Sequence, residues 1–131
     1  MSYMGSKTQL TYHLIFVTKY RKPALLGIEE RVYAALEHAA RGGLFSITEM
    51  GVDLGNHVHL VVEAEPTVSV AQIVRRLKQL TTLELWATSR PELSRFYWGK
   101  KRRLWNEGYF AGSVGSVSRE SVLDYVRRQA K

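Results

Sequence analysis

Apolar and β-branched residues fill almost every position from Gln9 to Lys19, with Leu10, Tyr12, Leu14 and Phe16 on one face of an extended chain and His13, Ile15 and Val17 on the other. Two apolar faces predict a central strand, and Tyr20-Arg21-Lys22-Pro23 ends it because proline cannot donate to a ladder. From Ile28 to Arg41 the period becomes helical, with Val32, Leu36 and Ala39 inward and Glu29, Glu30 and Glu37 outward, until Gly42-Gly43 stops it. Leu44–Asp53 reads as a second strand. A short turn through Leu54 and Gly55 joins it to a third, Asn56-His57-Val58-His59-Leu60-Val61-Val62-Glu63, so these two form a hairpin. Ser69-Val70-Ala71-Gln72 is a capping-box pattern that starts a helix running to about Thr88, with Ile73, Leu77, Leu80 and Leu83 as its inward row. Arg90–Glu107 is irregular, Tyr109–Val114 reads as a last strand, and Gly115–Val117 as a hinge-like loop. Ser118 N-caps a final helix with Glu120 in its first turn, and Val122, Tyr125, Val126 and Gln129 lie along one stripe of it.

The order β-α-β-β-α-β-α is the split-βαβ, ferredoxin-like (RRM-like) α+β pattern: an antiparallel sheet with two helices on one face and an added terminal helix. No repeat, linker or low-complexity tract divides the 131 residues, so they read as one domain, 1–131, with a core over 1–115 and a terminal helix over 118–131.

The third strand carries the first candidate chemistry. His57 and His59 share a face about 6.6 Å apart, at roughly 3.3 Å per residue, which suits two imidazoles gripping one metal ion. Val58, Leu60 and Val62 form an apolar row on the opposite face, so the strand has a core side and a chemical side. Such pairs also occur as ordinary strand residues. Of the other histidines, His13 shares its face with apolar residues and is expected to be a hydrogen-bonded structural residue, while His38, mid-helix, is expected at the surface.

Two histidines do not complete a metal site. If the terminal helix docks over their face of the sheet, Tyr125 and Gln129, four residues apart, reach the same region together. Gln129 then offers an amide oxygen as third ligand, and Tyr125 stands beside the metal. Imidazoles alone would also tolerate zinc; the amide oxygen leans toward a hard cation. A phenol, with a pKa of about 10, leaves a phosphate far more readily than an alkyl alcohol does, so a phosphotyrosine link can be displaced by a 3′-hydroxyl. The metal would act on the scissile phosphate as a Lewis acid. Tyr109 is a rival nucleophile, but its apolar strand makes it structural.

Charge adds a partner. The net charge is +7, and it is uneven: residues 1–65 hold six Lys/Arg against seven Asp/Glu, residues 66–131 thirteen against five. The excess suggests a polyanion, nucleic acid before membrane. Candidate DNA-binding cations are Lys19, Arg21, Arg75, Arg76, Lys78, Lys100, Lys101, Arg102 and Arg103. Phe96-Tyr97-Trp98 and Trp105 flank the basic run, either stacking on exposed bases or, for Phe96, Trp98 and Trp105, forming core. Cysteine is absent, which excludes disulfides, thiolate zinc and a thiol nucleophile. No apolar run approaches the roughly 20 residues of a membrane span, and P-loop and dinucleotide glycine motifs are missing. A soluble, cytoplasmic protein is expected.

His57-Val58-His59 resembles the His-hydrophobic-His motif of the HUH endonuclease superfamily, and nearly the whole chain resembles the single-tyrosine transposases of the insertion sequence 200/605 family. Tyr12-His13-Leu14-Ile15-Phe16-Val17-Thr18-Lys19-Tyr20-Arg21 is similar to that family's opening strand. Trp105, Gly108-Tyr109-Phe110 and Val114-Gly115 resemble the segment before its last helix, and Tyr125-Val126-Arg127-Arg128-Gln129 resembles its nucleophile helix. The resemblance implies a transposase of single-stranded DNA that recognises hairpins at element ends. Tyr125 would form a 5′-phosphotyrosine, and His57, His59 and Gln129 would hold Mg2+ or Mn2+. It also implies a homodimer in which each site joins the histidines of one chain to the tyrosine helix of the other. One tyrosine holds one cut end, so joining two ends itself calls for two chains. Asn56 departs from the family, which often has aspartate there, so the resemblance does not carry over a carboxylate that would support the first histidine. The sequence ends two residues after Gln129, which leaves the terminal helix little to anchor it. Two alternatives stand beside this one: a domesticated, repeat-associated tyrosine transposase, where asparagine is typical and Gln129 argues against it, and a non-catalytic single-strand-binding module of the RNA-recognition type.

Overall fold

The computed structural model describes residues 9–113 and 119–129. Strands β1 (Leu10–Val17), β2 (Phe45–Asp53), β3 (His57–Ala64) and β4 (Phe110–Ser113) form one antiparallel sheet in the order β2-β3-β1-β4. Helices α1 (Glu29–Ala40) and α2 (Val70–Thr88) cover one face, and α4 (Arg119–Arg128) packs on the other. This is the ferredoxin-like arrangement with an added terminal helix that the pattern predicts.

Period-2 alternation sorts the two central strands. Leu14 and Phe16 of β1 and Val58, Leu60 and Val62 of β3 are fully buried toward α1 and α2, against Val32, Leu36, Ile73 and Leu77. Each such side chain contributes roughly 1.5–3 kcal/mol. Ile15 and Val17 are fully buried on the other face, under Val126. At the start of α2, the Ser69 side chain accepts from the Gln72 N–H and the Gln72 side chain accepts from the Ser69 N–H, which is the expected capping box.

The inward row of α2 differs from expectation. Leu80 and Leu83 are 37% and 60% exposed, while Val74, Thr81, Leu85 and Trp86 are buried. Thr81 can take a core position because its hydroxyl is satisfied there: it donates to the Leu77 carbonyl at 2.6 Å and accepts from the Trp105 indole N–H at 2.9 Å. That turns the leucines outward.

Residues 90–107 are more ordered than an irregular stretch. They contain a short helix α3 (Arg90–Leu93), started by Pro91, and a tail that prolongs the sheet. The Lys19 N–H bonds to the Leu104 carbonyl at 2.8 Å and the Asn106 N–H to the Val17 carbonyl at 2.7 Å, with a bridge between Thr18 and Trp105. The aromatic residues divide between the two readings. Trp105 is core, Phe96 is half-buried against the core, and Trp98 is 76% exposed. Tyr97 is buried and donates to the Lys19 carbonyl.

His38 is exposed as expected, yet it is held by Glu84 of α2 at 2.9 Å. His13 corrects its expectation: its Nδ1 is buried without a hydrogen-bond partner, and its ring stacks on His59. Val114, the Gly115–Val117 loop, Ser118 and the side chains of Glu120 and Val122 lie outside the described residues.

The β2–β3 turn sets where His57 begins. Leu54 and Gly55 have φ of 56° and 67°, and the Asn56 N–H closes onto the Asp53 carbonyl at 3.2 Å. The Gly55 carbonyl accepts from the Leu25 N–H, and a Cβ on Gly55 would lie 2.8 Å from Leu26 Cβ. Gly55→Ala therefore combines a left-handed backbone with a clash and should destabilise the fold by about 2 kcal/mol or more. Gly51→Ala, which meets nothing within 4 Å, should stay within about 1 kcal/mol of the parent. Urea denaturation of both variants measures the difference.

Candidate active site

The register places Val17 opposite His57 and Ile15 opposite His59, so both histidines lie on the face covered by α4. His57 is 3% exposed. Its Nδ1 lies 2.8 Å from Asn56 Oδ1, which accepts its proton and leaves the Nε2 lone pair free. Asn56 thus orients the ring as an aspartate would, without adding charge. Burial lowers the proton affinity of His57, and the neighbouring His59 lowers it further, while Asp53, whose Oδ2 is 3.7 Å from Nε2, opposes them. The result is a neutral imidazole with a donor pair available near neutral pH. His59 is half-buried, with its ring stacked on His13 at 5.9 Å and 19°.

The other half of the site comes from α4. The Tyr125 ring meets Phe110 of β4 edge-on at 5.8 Å, and Val126 beside it seals Ile15 and Val17. One turn later, Gln129 Oε1 accepts from Asn106 Nδ2. Asn106 is the residue whose N–H bonds to Val17, the partner of His57 in the ladder. Gly108 completes the corner: a Cβ there would lie 3.3 Å from the Tyr125 hydroxyl and 3.8 Å from Gln129 Oε1. Tyr125 and Gln129 are therefore brought together at Gly108, and the Asn106–Val17 link ties them to the end of the sheet that holds His57. The Tyr125 hydroxyl is buried without a hydrogen-bond partner, and burial raises its pKa against the pull of Arg128.

Among the described residues no trio of His, Asp and Glu converges as a metal site. The His57 and His59 imidazoles and the second lone pair of the Gln129 oxygen remain the side-chain donors compatible with a cation.

Residues 6–129 match the family model for IS200-like transposases. The chain is 33% identical over 127 residues to the ISDra2 transposase TnpA of Deinococcus radiodurans, covering 95% of this chain and 87% of that one. The chain belongs to the IS200-like transposase family. The transposase is also 29% identical over 119 residues to the IS200 transposase of Salmonella typhimurium, with 90% and 75% of the two chains covered. Its fold matches a crystal structure of a Deinococcus radiodurans protein described as a transposase, with a TM-score of 0.83 at 27% identity over 95% and 94% of the chains. A repeat-associated tyrosine transposase bound to its repeat hairpin shares the fold more distantly, at a TM-score of 0.58 and 16% identity over 96% and 68%. No helix among the transposase's described residues is long and apolar enough to cross a membrane.

The basic residues of the transposase are not equivalent. Lys100, Lys101 and Arg102 are exposed, and Arg103 and Lys19 half-buried. With the outward Leu80 and Leu83, four of these cations (Lys19, Lys101, Arg102 and Arg103) line a groove of about 810 Å³ between α2 and the 101–107 segment. Arg75 is exposed along α2. Arg21 donates to the Arg127 carbonyl at 3.4 Å, touching the end of α4. Arg76 is bound to the Ala39 and Arg41 carbonyls at the end of α1, and Lys78 to the carbonyls of Asn106, Glu107 and Gly108. Lys78 thus has all three donors engaged, whereas these bonds use two of the five N–H groups of Arg76.

Asn106 and Gly108 escaped the sequence reading as parts of the site. Gly108 carried a signal, since the glycine before Tyr109-Phe110 is part of the resemblance; a lone asparagine carried none.

The histidine environment gives a pH signature. The folded pKa of His57 lies below its ordinary 6.5, so the unfolded chain binds the extra proton and stability falls as pH drops through 6.5, levelling off below the folded value. In chelator-treated protein, His57→Gln should flatten the urea-stability profile in that window. Parallel profiles for the two proteins would exclude a buried neutral His57.

Proposed function

We propose that this transposase cleaves and rejoins single-stranded DNA through Tyr125. The arrangement of Tyr125 and Gln129 on one side of α4, against the sheet corner that carries His57, is the observation that supports this reading. In the cleavage step the Tyr125 oxygen attacks a backbone phosphate and the bond from phosphorus to the 3′ oxygen breaks. A 5′-phosphotyrosine forms, and the proton given up by the phenol is balanced by the one gained on the freed 3′-hydroxyl. Rejoining is the reverse: a 3′-hydroxyl attacks and the phenol leaves, with no nucleotide consumed. His57, His59 and the Gln129 oxygen would hold Mg2+ or Mn2+, supplying Lewis-acid polarisation of the phosphate.

Within one chain the Tyr125 hydroxyl has no acceptor for its proton. The acceptor therefore comes from outside that chain, with the DNA, and a homodimer in which α4 of one chain seats on the 106–108 corner and histidines of the other would hold two DNA ends at once. The substrate is single-stranded DNA with hairpins at the element ends, acted on in the cytoplasm, with the exposed Lys100, Lys101, Arg102 and Trp98 meeting phosphates and bases.

Single-stranded oligonucleotides carrying hairpins from the DNA flanking the chain's own gene, incubated with Mn2+ or Mg2+, should give a covalent protein–DNA adduct on a denaturing gel. Tyr125→Phe should abolish the adduct, with affinity for the oligonucleotide kept within about threefold. His57→Ala or chelation should remove cleavage. An undiminished adduct in Tyr125→Phe would sink the assignment, and full activity in chelator would sink the metal.

A further inference from the structure

Helix α2 lies across the sheet from α4, yet one of its side chains reaches the segment on which Tyr125 and Gln129 rest. Lys78 Nζ donates to the carbonyls of Asn106 at 2.7 Å, Glu107 at 3.2 Å and Gly108 at 2.7 Å. An ammonium has three donors, so three successive carbonyls engage them all and leave none for a phosphate. Residues 106–108 belong to neither helix nor strand, and only the Asn106 N–H joins them to the ladder. The ammonium also sits over the Phe16 ring at 5.5 Å, and Phe16 packs edge-on against Trp105 at 5.7 Å, so the anchor stands on the core. Burial pushes Lys78 down to about 8, with Glu107 opposing, which keeps it charged at neutral pH.

The held segment meets both site side chains of α4. Asn106 donates to the Gln129 oxygen, and at Gly108 a Cβ would lie 3.3 Å from the Tyr125 hydroxyl, so the missing side chain leaves that hydroxyl its place. We propose that Lys78 is a positioning residue of the strand-transfer site, fixing segment 106–108 from behind and thereby setting where the Gln129 oxygen and the Tyr125 hydroxyl stand. This rests on the tyrosine reading above. It removes Lys78 from the cations that bind DNA and gives it an effect on rate, since small misplacements of reacting groups slow the chemical step steeply.

The test separates rate from affinity, using the full chain, the flanking-hairpin oligonucleotide and Mn2+. Lys78→Met keeps the length of the stem and removes the donors. Its adduct-forming rate at saturating DNA should fall by about tenfold or more, and half-maximal Mn2+ should rise by about threefold. Its dissociation constant for the oligonucleotide should stay within about twofold, with an unchanged salt slope, whereas loss of a phosphate contact, as in Arg102→Met, lowers that slope by about one. Lys78→Arg, which restores charge and some donors, should recover part of the rate. Asn106→Ala, which cuts the link beyond Lys78, should show the same split, and it carries the test together with Lys78→Arg if Lys78→Met does not fold. A wild-type rate in these variants, or a loss confined to affinity and salt slope, overturns the inference. No adduct from the wild-type chain, or one that survives Tyr125→Phe, overturns the tyrosine reading instead and the inference with it.

Discussion

Strands β1 and β3 pair over eight residues, and β1 turns neither face to water across the stretch from Leu14 to Val17. A two-layer sheet can bury one face under α1 and α2; burying the second requires another element, and that element is α4. The demand is hydrophobic and non-directional, but its consequence is directional. Ile15 and Val17 call for cover, Val126 supplies it, and the stripe containing Val126 also brings Tyr125 and Gln129 over the histidine side. The apolar contact thus addresses the polar residues to one another, although it supplies none of their chemistry.

The fold was largely legible because its elements are periodic. β1 is apolar on both faces, β3 opens with histidines alternating with apolar residues, α1 follows helical spacing, the Ser69-Val70-Ala71-Gln72 box has one sense, and the Leu54-Gly55 turn has two left-handed residues in tandem. His57 and His59 were legible as a same-face pair for the same reason. Periodicity failed where a polar residue took an apolar slot. Leu80 and Leu83 looked inward on spacing alone, but Thr81 wins the core position by answering the Trp105 indole, a partner 24 residues away. Segment 104–108 was not legible as a site element, because it is held by single backbone bonds to the end of β1 and by Lys78, and neither leaves a repeating mark on the sequence. His13 was misjudged because its stacking on His59 depends on cross-strand register rather than on its own neighbours.

The distribution of charge sharpens the division of labour. A raw count of cations treats Lys78 like Lys101 and Arg102, but an ammonium whose three donors all go to carbonyls has none left to bond a phosphate. Lys101, Arg102 and Arg103 line the groove between α2 and the 101–107 segment, whose other wall includes Asn106 and Glu107. Helix α2 borders both the basic groove and, through Lys78, the corner where Tyr125 and Gln129 meet.

The β2–β3 turn has a bearing on chain length itself. Gly55 is pinned to Leu25, and the histidine strand begins two residues later, so this turn fixes which side of β3 an imidazole occupies. One inserted residue would exchange the two faces, sending Val58 and Leu60 to the chemical side and the histidines into the core. The sheet does contain a place that absorbs an extra residue, the bulge between Ile47 and Glu49 on β2, toward the far end of that strand. Length variation is tolerable at one end of this hairpin and disabling at the other: residue count at the turn is as much a determinant of the site as residue identity.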